Sequence, residues 1–502
     1  MSYDLKSLAL PRFGSRGLRA LVALIELPFI GRWMIDRLKR DAGITRLREL
    51  AVDDAPTFLP QHTSDDPAIP ALATFDADNS PYSDAPAPPP EPPGFHFPDI
   101  ADFAAAYRAG RVSPNDIADR FVAQWQASDA GDRPLRAFIA VREDDLREQA
   151  RASSERWKAG KPLGPWDGVP VAVKDEMNVA GYPMTVGTRV LGGAPAKADA
   201  TVVARLRAGG ALIVGKANMH EIGINVTGLN PHHGTPRNPF NDLYHTGGSS
   251  SGPAAAVASG LVPVAIGADG GGSIRIPAAF CGVVGIKPTF GRVSEHGAAP
   301  LVWSVAYIGP IAGSVRDCAA AYALMAGDDP LDSNSRSHPA VSIDVAPPGS
   351  LRGIRVGVYP AWFRHASEDV IANCDAMVHE FERLGATIVE IEIPELDLQR
   401  IAHVAIITGE MAAAMAPYYP SRSREFSLDT RANLAIARSF SSAELVTAAR
   451  VRTRAMAHWR RTFQDVHIIV TPATGRTAPR IDPAAMPRGG SDLSMTTDAM
   501  RF

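Results

Sequence analysis

The chain has 502 residues, and its 51 basic and 54 acidic side chains leave a net charge of −3. That length can bury a large core, and the near-balance of charge argues against nucleic acid as a main partner. Its three cysteines, Cys281, Cys318 and Cys374, are widely spaced and lack CxxC spacing, so they indicate neither a disulfide framework nor a zinc site; a reducing cytosol suits them.

The first segment with a pattern is "LRALVALIELPFIGRWMI". Arg19, Glu26, Pro28 and Arg32 interrupt it, so it should not cross a bilayer. Arg12, Arg16, Arg37, Lys39 and Arg40 flank it, the composition of an interfacial amphipathic helix. Such an arm, over residues 1–54, has two destinations: the protein's own core or a second copy, and the surface of a membrane. Residues 55–98, centred on "APAPPPEPPG", read as an extended linker.

From Ile100 onward, short Val/Ile-rich runs alternate with helical stretches. "VPVAVKDEM", "ALIVGKANM", "VPVAIGADGG", "IRVGVYP", "ATIVEIEIP" and "VHIIVTPAT" have the look of buried parallel strands. "TVVARLRAGG" closes on glycine as a helix would, and "SEDVIANCDAMVHEFERLG" opens on Ser367 with two acids in its first turn. In the latter, Val370, Ile371, Cys374, Met377, Val378, Phe381 and Leu384 form one apolar stripe expected to face the core. The fold class is therefore α/β with a mostly parallel sheet. A Pro/Ser-rich stretch over residues 327–350 reads as a surface loop.

Chemistry concentrates in two glycine-rich stretches. "YHTGGSSSGPAAAV" packs three serines before an alanine-rich helix but has no Gly-Lys-Ser/Thr, so it is not a nucleotide cradle of the Walker kind. In "AIGADGGGSIRIPAAF", three glycines precede Ser273, placing several N–H groups near one hydroxyl, as acyl transfer requires. The base for such a serine is open to two answers. His220, His232, His233 and His245 are available but stand in no recognisable Ser-His-acid layout. Lys174, at the end of the apolar run in "GVPVAVKDEMNVAG", is the better candidate, because a desolvated amine is a more useful base.

Taken together, "VPVAVKDEMNVAG" and "HTGGSSSGPAAAVASGLVPVAIGADGGGSIRIPAAFCGVVGIKPTFGRVS" resemble the amidase signature family. The resemblance runs from about Ile100 to the C-terminus. It implies a catalytic domain over residues 99–502, with a large mixed, mostly parallel sheet covered by helices on both faces. It also implies Lys174 as general base, Ser249 as proton-relaying serine and Ser273 as acyl-forming nucleophile. Oxyanion donors are expected at Gly270, Gly271, Gly272 and Ser273, a cis peptide before Ser249, and a hydrogen bond from Ser250 to Lys174. No metal or organic cofactor is called for.

Within that family the chain is similar to the plant-type fatty acid amide hydrolases, through its arm, "NMHEIGINVTGLNPHHGTPRNPFN" and "GADGGGSIRIP". This implies long-chain N-acylethanolamides or related fatty amides as substrates, and a homodimer or peripheral membrane contact as associations. Pro253 departs from the family's small polar residue and is expected at the first helical position. The chain ends at "SMTTDAMRF", which reads as a shortened C-terminal part. Two other readings are a component of a glutamine-dependent amidotransferase and an inactive, truncated relative.

Overall fold

The computed structural model describes residues 3–6, 12–60, 99–335, 341 and 350–502. Most of the expected linker and part of the 327–350 loop lie outside the described residues. All six Val/Ile-rich runs contain a strand.

The main sheet has six strands: β1 (Phe138–Ala140), β2 (Pro170–Lys174), β3 (Leu212–Ala217), β4 (Val264–Asp269), β5 (Val284–Gly285) and β6 (Tyr307–Ala312), in the order β1-β3-β2-β4-β6-β5. Every residue of β2, β3 and β4 is buried. The two-residue period of a strand sends Val171, Val173, Ile213, Val264 and Ile266 into one core, and Ala172, Leu212, Val214 and Ala265 into another. Cores on both faces explain why these runs are apolar throughout rather than alternating.

The sheet is mixed. Parallel pairing is confined here to β3, β2 and β4, whereas β1, β6 and β5 pair antiparallel. β6 was not legible in the sequence because Gly309 and Pro310 interrupt it and read as a turn. A second, parallel sheet is formed by β7 (Arg355–Val358), β8 (Thr387–Glu390) and β9 (Ile468–Ile469), in the order β8-β7-β9.

The helix over Glu368–Arg383 follows Ser367 as expected, but it contains no fully buried residue, and Met377 is exposed. Its apolar stripe is half-buried, so the expectation of a core face is corrected. Part of the stripe, Val370 and Cys374, lines a cavity of about 590 Å³ together with Phe280, Ala473 and Ala478 and so is not packed into a core.

The arm is fastened to the body. Its first helix, Ser15–Ile25, buries Leu18 and Val22 against Leu428 and Ala432. Farther along, Lys39 and Glu444 meet at 2.9 Å with both side chains buried, and Arg48 reaches the same carboxylate. Residues past 54 also pack on the body: Thr57 N–H donates to Ala449 O at 3.1 Å, and Arg452 donates to Phe58 O at 2.7 Å. The opposite side of the arm is different. Leu24, Leu27, Phe29, Ile30 and Trp33 crowd the turn between the first helix and the next, Ile30–Asp41, and are exposed, Phe29 at 89 %. Among the described residues, no helix is long and apolar enough to cross a membrane.

Candidate active site

Three chain segments converge at the end of β2 and β4. Lys174 is the last residue of β2 and is 1 % exposed. Its Nζ donates to Ser249 Oγ at 2.9 Å and to the Ala268 carbonyl of β4 at 3.2 Å. The Gly248–Ser249 peptide is cis. The Ser250 N–H donates to the Ser273 carbonyl at 3.2 Å, which ties the serine cluster to the glycine loop.

The serine cluster leads into a helix over Ser251–Ala258 that is buried along nearly its whole length. Gly252 permits this depth, because a Cβ there would fall 2.3 Å from the Asn218 nitrogen. Pro253 is the third helical residue rather than the first. That position is tolerated because the first four N–H groups of a helix have no intrahelical acceptor. Ser251, the last of the three serines, has a buried hydroxyl without a hydrogen-bond partner among the described residues.

Ser250 does not bond to Lys174. Its hydroxyl donates to Ala268 O at 3.2 Å and accepts from Ala268 N–H at 3.3 Å. The lysine and Ser250 therefore share a carbonyl, and Ser250 fixes that carbonyl in place. A direct bond is absent because Lys174 already meets Ser249, Ala268 O and Glu176.

The glycine loop is organised by Asp269, which the sequence showed only as the end of a strand. Its buried carboxylate accepts from Gly272 N–H at 2.7 Å and Ile274 N–H at 3.0 Å, and from Arg275 Nε and Nη2 at 3.0 and 2.9 Å. Burial by itself raises its pKa, but the Arg275 guanidinium and the loop N–H groups overcome that and hold the carboxyl well below the usual carboxylate range. Gly272 has φ of 113°, a left-handed value that favours glycine.

One expectation changes here. Because the Gly272 N–H is held by Asp269, it is not free to receive an oxyanion, which leaves Gly270, Gly271 and Ser273. These three N–H groups, and the Ser273 hydroxyl, have no hydrogen-bond acceptor or partner among the described residues. Ser273 is 6 % exposed, close to the helix that opens at Arg275.

The histidines are engaged elsewhere. His220 faces Asp429 at 3.0 Å, His232 faces Glu221 at 2.6 Å, and His233 faces the Thr188 carbonyl at 3.2 Å. His245 Nδ1 lies 2.9 Å from the Thr227 carbonyl, and burial lowers its pKa to about 4. None of these four rings hydrogen-bonds a serine of the cluster or Ser273. Among the described residues, no group of three or more His, Cys, Asp or Glu could hold a metal ion.

Lysine, serine cluster and glycine loop thus share one buried site. Residues 122–499 match the sequence profile of the family described as Amidase. The chain belongs to the amidase family. This amidase is 38 % identical to a fatty acid amide hydrolase of Oryza sativa subsp. indica, over 100 % of the chain and 86 % of that protein. It is 40 % identical, over 64 % of both chains, to a glutamyl-tRNA(Gln) amidotransferase component of an Anaeromyxobacter species. Among solved structures, a bacterial aryl acylamidase of the amidase signature enzymes superposes with a TM-score of 0.71 at 25 % identity, covering 80 % of this chain and 86 % of that one. The amidase is accordingly a serine amidohydrolase acting on linear amides.

Proposed function

We propose that this amidase hydrolyses fatty acid amides such as N-acylethanolamides through Lys174, Ser249 and Ser273. The observation that carries the reading is the 2.9 Å contact between Lys174 Nζ and Ser249 Oγ in a buried site. A neutral Lys174 takes the Ser249 proton as Ser249 takes that of Ser273, and Ser273 Oγ attacks the amide carbon. The tetrahedral oxyanion is received by the N–H groups of Gly270, Gly271 and Ser273. Ser249 then passes its proton to the departing nitrogen and regains one from Lys174, and the amine leaves. Water attacks the resulting ester as its proton passes to Ser249 and on to Lys174; the relay then returns a proton to Ser273 Oγ, releasing the carboxylic acid and restoring Ser273.

The substrate class is supported by the length of the similarity. Likeness to the rice hydrolase spans the whole chain, arm included, whereas likeness to the amidotransferase component covers 64 % of it. The exposed Leu27, Phe29, Ile30 and Trp33 give the arm an apolar face suited to the boundary of a membrane that stores such substrates. Flotation with anionic lipid vesicles tests this contact, and pairing of two chains through the same face is the competing outcome, read by sedimentation.

The decisive experiment compares hydrolysis of a long-chain acylethanolamide with that of a short aliphatic amide, using Ser273→Ala as control. Preference for the long chain, lost in the variant, supports both triad and substrate. Activity on the short amide alone would discard the lipid substrate. No activity, together with no labelling by a serine-reactive phosphonate, would favour an inactive relative.

A further inference from the structure

The Lys174 amine has three oxygen neighbours: Ser249 Oγ at 2.9 Å, Ala268 O at 3.2 Å and Glu176 Oε2 at 2.7 Å. A neutral amine has two hydrogens and one lone pair. The Ala268 carbonyl and an ionised Glu176 can only accept, whereas a serine hydroxyl can also donate. When the two acceptors hold both hydrogens, the lone pair has one direction left, toward Ser249.

We infer that Glu176 is a positioning residue for amide hydrolysis, its carboxylate turning the Lys174 amine so that the lone pair faces the Ser249 hydroxyl. This rests on the reading of Lys174 as the base. A tight turn makes the arrangement: the Met177 N–H donates to the Lys174 carbonyl at 3.2 Å, folding Glu176 back beside Lys174. The Ala299 N–H holds the Glu176 carbonyl at 2.8 Å. Asp175 points elsewhere, to Lys216 at 3.2 Å and to Gly187 N–H at 3.1 Å. Each acid of the Lys-Asp-Glu run thus has its own lysine.

A second observation sets Glu176 apart. The residue is 7 % exposed, and its Oε2 has no hydrogen-bond partner among the described residues. The 2.7 Å approach to Nζ is an ion-pair contact, and the amine must turn before it donates a hydrogen to Oε2. Leaving a buried acceptor unsatisfied is costly, so such atoms call for an explanation. An acceptor waiting for the amine's hydrogen during the reaction supplies one. Beyond it lies a cavity of about 180 Å³, lined by Glu176, Ala268, Glu295 and His296 among others, large enough for a small carboxylate.

The test compares Glu176→Met, which keeps the bulk and removes the acceptor, with Glu176→Gln, which keeps an acceptor oxygen without the charge. The readouts are kcat and KM, the rate of Ser273 labelling by a fluorophosphonate, and thermal unfolding. The Met variant should lose about 10²-fold in kcat and in labelling rate with KM unchanged, and the Gln variant should stay within about 10-fold of the parent. In folded Glu176→Ala, formate should restore turnover in a dose-dependent manner and chloride should not. Parent-like turnover in the Met variant, equal impairment of Gln and Met, or no rescue by formate would each overturn the inference. Lys174→Met is assayed alongside. If it stays active, the reading of the base has failed; if it is dead while Glu176→Met is unimpaired, only the role of Glu176 has.

Discussion

The buried Asp269 and the partly exposed Arg275 form a two-pronged contact, with Nε and Nη2 at 3.0 and 2.9 Å from the carboxylate oxygens, and the loop between them carries Ser273. Closing this short loop with a charged clamp fixes the glycines that would otherwise be the most mobile part of the site. Arg275→Leu should therefore destabilise the protein by about 3 kcal/mol, because it strands a buried carboxylate. It should also lower kcat, and denaturant unfolding with steady-state kinetics measures both. The folded pKa of Asp269 is depressed, so its contribution is present above the unfolded value of about 3.9. It is lost only as pH falls below that, through the lower folded value, and an acid titration of the parent should show it.

Ser273→Ala should abolish acyl-enzyme formation, read as mass gain on incubation with a fluorophosphonate. Lys174→Ala should lower kcat by more than the roughly 10²–10⁴-fold of a simple general base, since base, relay and nucleophile act as one unit. Near-normal turnover in either variant would contradict the proposed mechanism.

Ser250→Ala tests the indirect role of that serine. The Ala268 amide would lose its hydroxyl acceptor in a buried setting, a cost of about 1–3 kcal/mol. Because Ser250 acts through the Ala268 carbonyl, kcat should fall by about 10-fold, far less than in Ser249→Ala, which removes the proton relay itself. Equal losses in the two variants would mean that Ser250 takes part directly.

Stability should fall on mild acidification before most carboxylates titrate. His245 is buried and its pKa is lowered to about 4, chiefly by burial; His403 is lowered to about 4 by burial and by Arg452 and Arg275. An unfolded histidine titrates near 6.5, so between about 6.5 and 4 the unfolded chain binds protons that the folded one refuses. Stability gained from keeping these rings neutral is full above that window and is lost as pH falls through it. The melting temperature should drop from about pH 7 to about pH 4.5, and His245→Asn should flatten the slope.

The arm offers a contrast between its two sides. Phe29→Ser with Trp33→Ser should change unfolding free energy by less than about 1 kcal/mol, both residues being exposed, while reducing vesicle binding. Lys39→Met should cost about 3–5 kcal/mol, because it removes the buried partner of Glu444. Vesicle binding that survives the double serine variant would place the membrane contact elsewhere.

The sequence by itself determined the α/β class, the inner strands and the three segments of the site. Runs such as "VPVAVK" and "VPVAIGAD" have no alternation to misread, and a lysine, a serine cluster and a glycine-flanked serine are chemically conspicuous. What lies between segments was decided only by the tertiary structure. That the Gly272 N–H belongs to Asp269, that Ser250 reaches Ala268 rather than Lys174, and that Glu176 returns to Lys174 all depend on which atoms a turn or a neighbouring strand brings within about 3 Å. The stripe of the Glu368–Arg383 helix makes the same point for packing. Periodicity says which face is apolar, but only what the rest of the chain places opposite, here a cavity, decides whether that face is buried.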